Sequence, residues 1–250
     1  MNETLKTLLQ HRTIRKYSDQ PISDQDLELI LKAASSGSTM GGMQLYSIIV
    51  TRDKEKMKEM APFHFNQPMA TQSPLILTFC ADFNRFNKYC SFRDADTTAY
   101  NNVQAYHWAI MDAMIATQNA CVADESLGLG ICWLGTVIYN ADKFVDYLKL
   151  PAGVVPLVSI TVGHPVEKPE PPYKLPLEAV VHYEEYQDYN EQSINRLYKE
   201  VESHPQTLQL LEENQLPNLA RIITEKRYKK EDNLYFTTVI NQVLKKQGFL

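Results

Sequence analysis

The spacing of apolar residues predicts a helix near the start of the chain. Leucine, isoleucine and alanine side chains recur at i, i+3, i+4 and i+7 between residues 27 and 34, which places them on one face of an α-helix. Ser23 is followed at the third helical position by an acid, Asp26, a pattern typical of a helix N-cap. We therefore expect an amphipathic helix that begins after Ser23 and ends near Gly37.

Four apolar segments predict the strands of a sheet. They cover residues 46–51, 75–81, 131–138 and 156–163. Two shorter helices are expected at residues 53–60 and 142–148. The irregular order of helices and strands favours an α+β fold. Because no GxGxxG motif follows the first strand, the pattern argues against a Rossmann-type nucleotide site.

A long helical pattern occupies residues 97–126. It is apolar on nearly every side, and it contains small residues at Ala105, Ala109, Ala113, Ala116 and Ala120. A helix that is apolar all round is buried all round. We expect this helix to lie in the core or against a partner subunit.

The chain changes character after the last predicted strand. Residues 165–176 contain five prolines, so this segment is expected to be extended and not helical. From residue 184 onward the sequence is polar, and we expect it to be mainly helical.

Charge and cysteine usage narrow the class of protein. The 250 residues include 30 acidic and 25 basic side chains, a net charge of -5, which disfavours a broad basic surface for nucleic acid or an anionic membrane. No apolar run reaches 18 residues, and the first residues lack the features of a secretory signal.

The four cysteines form no CxxC pair and are expected to be reduced thiols. We therefore expect a cytoplasmic protein.

The candidate chemistry lies in HRTIRKY, residues 11–17. In an extended segment His11, Thr13 and Arg15 would face one way, and together they offer the charged and hydroxyl donors that a phosphate group needs. The alternative is a surface loop with weak ion pairs. The sequence contains no recognisable nucleophile–base motif and no metal-ligand spacing, which favours a cofactor as the source of reactivity.

Six segments in chain order resemble the nitroreductase superfamily, and within it the NADPH-dependent nitroreductase and flavin reductase group. They are HRTIRKYSDQPIS, SGSTMGGMQLYSII, Gln67 ahead of LTFCADFNR, ADESLGLGICWLGTV, LKLPAGVVPLVSITVGHP and YKLPLEAVVH. The resemblance implies a nitroreductase-like α+β fold with a central, mainly antiparallel sheet flanked by helices, in an intertwined homodimer. It also implies an FMN-binding domain over residues 1–185 and a helical extension over 186–250 that packs on the same domain or on the partner.

The resemblance further implies where FMN is held. His11, Arg12, Thr13 and Arg15 would hold its phosphate and ribityl chain, with Lys174 as a further basic residue on the phosphate. A loop of the neighbouring subunit would reach the flavin with Ser38, Thr39 and Met40. The Gln67 amide would contact the pyrimidine edge of the ring. The end of a strand would pass near the ring with Trp133, Leu134, Gly135 and Thr136.

The implied activity is a ping-pong oxidoreductase. A reduced nicotinamide, NADPH or NADH, would reduce FMN and leave, and a nitroaromatic, quinone or flavin would then be reduced in the same space. Three alternatives stay open: a dedicated flavin reductase, a flavin-binding protein with little turnover, and a non-flavin α+β domain with an exposed basic loop.

The sequence departs from the group in three places. Pro172 stands where relatives often have a lysine, and the hydroxyl-rich loop is reduced to STMGG. Lys199 and Glu200 stand where relatives place an arginine for the NADPH 2′-phosphate. The preference between NADPH and NADH is therefore left open. Four side chains could line the acceptor pocket or fill the core: Met40, Phe63, Phe65 and Trp133.

Overall fold

The centre of the fold is a four-stranded antiparallel sheet with the order β1-β2-β4-β3. A computed structural model describes all residues from 1 to 250. The strands are β1 Tyr46–Thr51, β2 Leu75–Asp82, β3 Gly130–Leu134 and β4 Val154–Gly163. The two central strands, β2 and β4, are buried at every position, which explains their continuous apolar sequences. The predicted α+β class and antiparallel sheet are confirmed.

The chain divides into two compact units. The first unit comprises Met1–Pro171 and Phe236–Leu250, and the second comprises Pro172–Tyr235. The first unit contains the sheet and seven helices: α1 Glu3–Leu9, α2 Asp24–Ser35, α3 Lys54–Met60, α4 Met69–Gln72, α5 Asn84–Ser91, α6 Val103–Ser126 and α7 Ala141–Tyr147. The second contains α8 Glu191–Ser203, α9 Pro205–Asn214 and α10 Leu219–Ile222, and α11 Lys230–Gln247 begins in the second unit and ends in the first. The predicted domain boundary at residue 185 stays a prediction.

Helix α2 matches its prediction closely. The Ser23 hydroxyl accepts a hydrogen bond from the Asp26 backbone N–H at 3.0 Å, which satisfies one of the unpaired donors at the helix start. Ile30 and Ala34 on the predicted apolar face are buried. The last helical residue, Ser35, comes two positions before Gly37.

The long helix α6 is shorter at its start than predicted. It begins at Val103 instead of residue 97, because the Asn102 side chain caps it by accepting a hydrogen bond from the Ala105 N–H. Residues Thr98–Tyr100 form a separate 3₁₀ turn. Within one chain α6 is not enclosed on every side, since Met111 is 45% exposed and Ile115 is 40% exposed.

The predicted strand at residues 131–138 is also too long. Strand β3 ends at Leu134, and Gly135–Asn140 form a 3₁₀ turn. One apolar residue of this turn, Val137, is buried in a separate small cluster, where it packs with Met60 and Phe144. Apolar periodicity alone does not separate a short strand from such a turn.

The second unit is stabilised by local contacts of its own. Asn190 and Ser193 form a reciprocal capping box at the start of α8, and Arg196 pairs with Glu178. Leu197 is the buried residue of α8. In the whole chain, no helix combines the length and the apolar character needed to cross a bilayer.

Candidate functional site

The N-terminal segment, residues 11–17, lies along the free edge of β3. The Ile14 N–H donates to the Ile131 carbonyl at 2.9 Å, and bridges join Thr13 to Ile131 and Tyr17 to Pro165. The segment is therefore extended, as predicted, and alternate side chains leave it on opposite sides. Ile14 points inward and is 4% exposed.

Two glycines allow the N-terminal segment to approach the sheet closely. Gly130 and Gly163 are cross-strand partners at the ends of β3 and β4. A Cβ on Gly130 would lie 2.6 Å from Ile14, and a Cβ on Gly163 would lie 2.7 Å from Tyr17. Only a residue without a side chain fits at either position, and this explains why glycine occurs at both.

Tyr17 fixes the far end of the N-terminal segment. Its hydroxyl donates to the Ile14 carbonyl at 2.6 Å and lies 2.8 Å from the Thr161 hydroxyl. Burial raises the pKa of Tyr17 well above its usual value, against a smaller opposing effect of the Thr161 hydrogen bond. The phenol is therefore a neutral structural anchor.

The two arginines of the N-terminal segment keep most of their donors available. The Arg12 Nε donates to the Gln10 carbonyl at 3.3 Å, and no side-chain hydrogen bond or ion pair engages the guanidinium of Arg15. Burial raises the pKa of the Cys132 thiol, and the Arg15 charge partly opposes that effect. The Arg15 charge therefore lies beside β3.

Two carboxylates that the sequence did not suggest also belong to this site. Glu125 Oε1 lies 2.7 Å from His11 Nδ1, so only Nε2 of His11 is left for a ligand. Glu167 Oε1 accepts hydrogen bonds from the backbone N–H groups of Arg15 at 2.7 Å and Lys16 at 3.1 Å. Neither carboxylate forms an ion pair with an arginine side chain.

The end of β3 presents an exposed indole and an open backbone. Trp133 is 39% exposed, and its Nε1–H donates to the Cys121 sulfur at 3.1 Å. Burial raises the pKa of Cys121 to about 12, which keeps this acceptor a neutral thiol. A Cβ on Gly135 would meet no atom within 4 Å, so a flat group has room to lie against the backbone there.

The loop that carries Gln67 is joined to the same strand end. His64 Nδ1 lies 2.8 Å from the Thr136 hydroxyl, and the Gln67 N–H donates to the His64 carbonyl at 3.1 Å. Gln67 itself is half-buried. The structure thus brings residues 11–15, Trp133–Thr136 and Gln67 around one edge of the sheet.

Residues 38–40 are held elsewhere, by a buried carboxylate on α6. Asp112 accepts hydrogen bonds from the backbone N–H groups of Met40 at 2.8 Å and Leu45 at 2.9 Å. No hydrogen bond joins residues 38–40 to the N-terminal segment of the same chain. Ser38 is exposed, Thr39 and Met40 are half-buried, and Met40 packs on the main core.

Four further residues singled out from the sequence lie in different settings. Lys174 and Pro172 belong to the second unit, so their relation to the N-terminal segment stays a prediction. Phe63 packs against Phe144 with ring centroids 5.4 Å apart and fills a satellite of the core. In contrast Phe65, like Trp133, is exposed.

The available donors fit a phosphate monoester. The Arg15 guanidinium, the Thr13 hydroxyl and the free His11 nitrogen occupy alternate positions of the extended segment, and they are the charged and neutral donors that bind phosphate oxygens in short hydrogen bonds. Arg12 lines a cavity together with Ile14. The nearby glutamates, Glu125 and Glu167, already accept hydrogen bonds from other groups. The open backbone at Gly135, at the end of β3, adds space for a planar group.

Comparisons with known proteins agree on one family. The model of the Nitroreductase family matches residues 8–164. An FMN reductase [NAD(P)H] of Bacillus subtilis is 37% identical over 193 residues, which cover 76% of this chain and 77% of that protein. A crystal structure of a Bacteroides fragilis protein is similar with a TM-score of 0.95 at 45% identity, covering 98% of this chain and 99% of that one. The NADPH:FMN oxidoreductase of Vibrio harveyi, solved in complex with NAD⁺, is similar with a TM-score of 0.82 at 27% identity, with 99% of both chains covered.

Proposed function

Because the chain belongs to the nitroreductase family, we propose that it is an FMN-dependent NAD(P)H oxidoreductase that reduces nitroaromatics, quinones or flavins. One observation carries the proposal most directly. Arg12 and Arg15 lie on an extended segment at the edge of β3, and neither guanidinium is paired with an acid. Unpaired cations beside an open glycine backbone support a phosphorylated planar cofactor.

The residues of this chain would bind and orient the cofactor. His11, Arg12, Thr13 and Arg15 hold the phosphate and ribityl chain, and Lys174 adds a further positive charge. Gln67 contacts the pyrimidine edge of the ring, and the backbone from Trp133 to Thr136 passes beside it. FMN, when bound, supplies the redox chemistry, and no side chain is required as a general base.

Preorganised donors at the ring would favour the reduced cofactor. Donors that are fixed before reaction stabilise developing negative charge without reorganising, and one such donor contributes on the order of 3 kcal/mol. The Gln67 backbone is held by hydrogen bonds on both sides, since its N–H donates to the His64 carbonyl and its own carbonyl accepts from the Ala70 N–H. The point from which the side-chain amide extends is therefore fixed before any ligand arrives.

We also propose that the functional unit is a homodimer. Met111 and Ile115 on α6 and Leu5, Leu8 and Leu9 on α1 leave apolar surface exposed in the single chain. A second copy would cover such surface, and residues 38–40 of one subunit would then reach the flavin of the other. Light scattering at micromolar concentration tests this, and a monomer would contradict it.

The four cysteines support a reducing, cytoplasmic setting. All four are free and buried, and buried thiols of this kind are stable without an oxidising compartment. The helical extension at residues 186–250 is proposed to pack on the same domain or on the partner subunit.

Spectroscopy on the purified protein tests the proposed activity. We expect a yellow protein with about one FMN per chain, whose flavin absorbance bleaches when NADPH or NADH is added without oxygen. A colourless protein that gains no flavin spectrum with added FMN would reject the proposal. Colour without bleaching would instead indicate a flavin-binding protein with little turnover.

Two further measurements separate the remaining alternatives. FMN retained through dialysis argues against a dedicated flavin reductase, which exchanges flavin as a substrate. Initial rates with both nicotinamides, against nitro compounds, quinones and flavins, identify the preferred donor and acceptor. The tail residues Arg221, Lys226 and Arg227 are the candidates for an NADPH 2′-phosphate contact, because Lys199 and Glu200 do not match the usual arginine.

A further inference from the structure

The loop before Gln67 contains two consecutive residues in the left-handed backbone region. Phe65 has φ 53° and Asn66 has φ 54°; asparagine adopts this region more readily than other residues, whereas a bulky side chain such as that of Phe65 is rare there. Non-glycine residues in such conformations each cost of order 1–3 kcal/mol and persist only where surrounding contacts enforce them. Since Gln67 follows directly, its position depends on what enforces this loop.

Backbone hydrogen bonds close the loop on itself. Phe65 N–H donates to the Pro62 carbonyl at 3.1 Å, and Asn66 N–H donates to the Ala61 carbonyl at 2.8 Å. These bonds set the local shape of the loop. They do not fix its distance from β3.

Two side chains connect the loop to the 3₁₀ turn after β3. Asn140 Nδ2 donates to the Phe63 carbonyl at 2.9 Å, and His64 Nδ1 lies 2.8 Å from the Thr136 hydroxyl. His64 is closer to Gln67 in sequence than Phe63 is. The His64 carbonyl also accepts a hydrogen bond from the Gln67 N–H. His64 therefore connects Gln67 with Thr136 through one residue.

The surroundings of His64 hold its side chain in one position against Thr136. It is fully buried, its ring packs 5.0 Å from that of Phe144, and its Nε2 has no partner. Burial lowers the pKa of His64 to about 4, so the ring is neutral at physiological pH. The Thr136 hydroxyl is thus the only polar partner of the imidazole.

We propose that His64 is a positioning residue: through its hydrogen bond to Thr136 it fixes the distance between Gln67 and the end of β3, and so sets how the site contacts the edge of a flavin ring. This inference rests on the proposed function, because it assumes that Gln67 and Thr136 both face the cofactor. His64 itself, being fully buried, touches no ligand.

A pair of matched valine variants tests the proposal. Thr136→Val removes the hydroxyl that meets His64, and Thr136→Ser keeps it. The control is Thr78→Val, because Thr78 and Ser159 make a buried hydroxyl contact of 2.7 Å between β2 and β4. Both valine variants lose one buried hydrogen bond of similar length, but only Thr136→Val alters the proposed connection.

The first measurement needs no cofactor. In hydrogen exchange of the protein without flavin, we expect the Gln67 N–H to exchange at least about tenfold faster in Thr136→Val than in wild type. Thr136→Ser and Thr78→Val should keep the wild-type rate at that position. An unchanged Gln67 rate in Thr136→Val overturns the proposal.

The second measurement separates this proposal from the proposed function. We expect Thr136→Val to change the ratio of affinities for reduced and oxidised FMN about tenfold, which equals about 30 mV for a two-electron couple, while Thr78→Val leaves the potential unchanged. Equal potentials in wild type and Thr136→Val overturn the positioning role. Failure of the wild type to bind FMN rejects the proposed function instead, and the exchange result still decides whether His64 holds the loop.

A second pair of variants tests the proposal even if Thr136→Val does not fold. His64→Asn can place an amide atom near the position of Nδ1, whereas His64→Leu cannot hydrogen-bond. We expect His64→Asn to keep slow Gln67 exchange and His64→Leu to lose it. Equal exchange rates in these two variants contradict the proposal.

Discussion

Replacing Gly130 by alanine tests how closely the N-terminal segment must approach the sheet. The added Cβ would lie 2.6, 2.7 and 2.8 Å from three side-chain atoms of Ile14. These distances are shorter than any van der Waals contact between carbon atoms. Gly130 does not have a positive φ, so the expected cost comes from packing and not from the backbone conformation.

The size of the expected stability loss depends on how little Ile14 can move. Ile14 is 4% exposed, and its N–H is bonded to the Ile131 carbonyl at 2.9 Å. Overpacking of this kind costs about 1–3 kcal/mol, and the lower unfolded-state entropy of alanine returns about 0.4–1 kcal/mol. A net loss of about 1–2 kcal/mol lowers Tm by about 2–8 °C for a chain of this size.

Gly135→Ala is the matched control, because its Cβ would meet no atom within 4 Å. Thermal unfolding without flavin and titration with FMN are measured for both variants. We expect Gly130→Ala to lose stability and FMN affinity together, since Ile14 lies between Thr13 and Arg15. Gly135→Ala should keep its Tm and lose FMN affinity only. A wild-type Tm in Gly130→Ala would refute the packing argument.

Three further predictions concern single charged or titratable groups. Arg15→Ala should raise the Kd for FMN about 10–100-fold in a fluorescence titration, because a hydrogen bond to a charged group contributes about 1.5–3 kcal/mol; the dimer should persist. Asp112→Ala should lower the free energy of unfolding in urea by about 2–4 kcal/mol, because the N–H groups of Met40 and Leu45 lose their acceptor; a loss below 1 kcal/mol would contradict this. For His64, the folded pKa of about 4 lies below the ordinary 6.5, so the unfolded chain binds a proton first as pH falls. Stability should therefore drop by about 3 kcal/mol between pH 6.5 and 4, and His64→Asn should lack this share of the drop.

The sequence predicted correctly those helices and strands that are determined by residues close together in the chain. The Ser23 cap, the apolar face of α2 and the continuous apolar runs of β2 and β4 each depend on neighbouring residues in sequence. The alternation in HRTIRKY likewise predicted an extended segment. The errors lie where a local signal was ambiguous, as for Gly135–Asn140, whose apolar residues fit a strand or a packed turn equally well.

The parts of the site that the sequence did not predict depend on contacts between distant residues. Glu125 meets His11 across 114 positions, and Glu167 meets the Arg15 N–H across 152 positions. Nothing near either glutamate in sequence indicates such a partner. His64 could have been suspected only from its apolar surroundings, which predict a neutral ring but do not identify Thr136 as its partner.

The central claim is that the N-terminal segment binds a phosphate carried by a flavin. Titrating the flavin-free protein with FMN and with riboflavin tests it most directly, because the two ligands differ only in the phosphate group. The account predicts that FMN binds at least about 100-fold more tightly, since two or more charge-assisted hydrogen bonds contribute about 1.5–3 kcal/mol each. Equal affinities for FMN and riboflavin would contradict it.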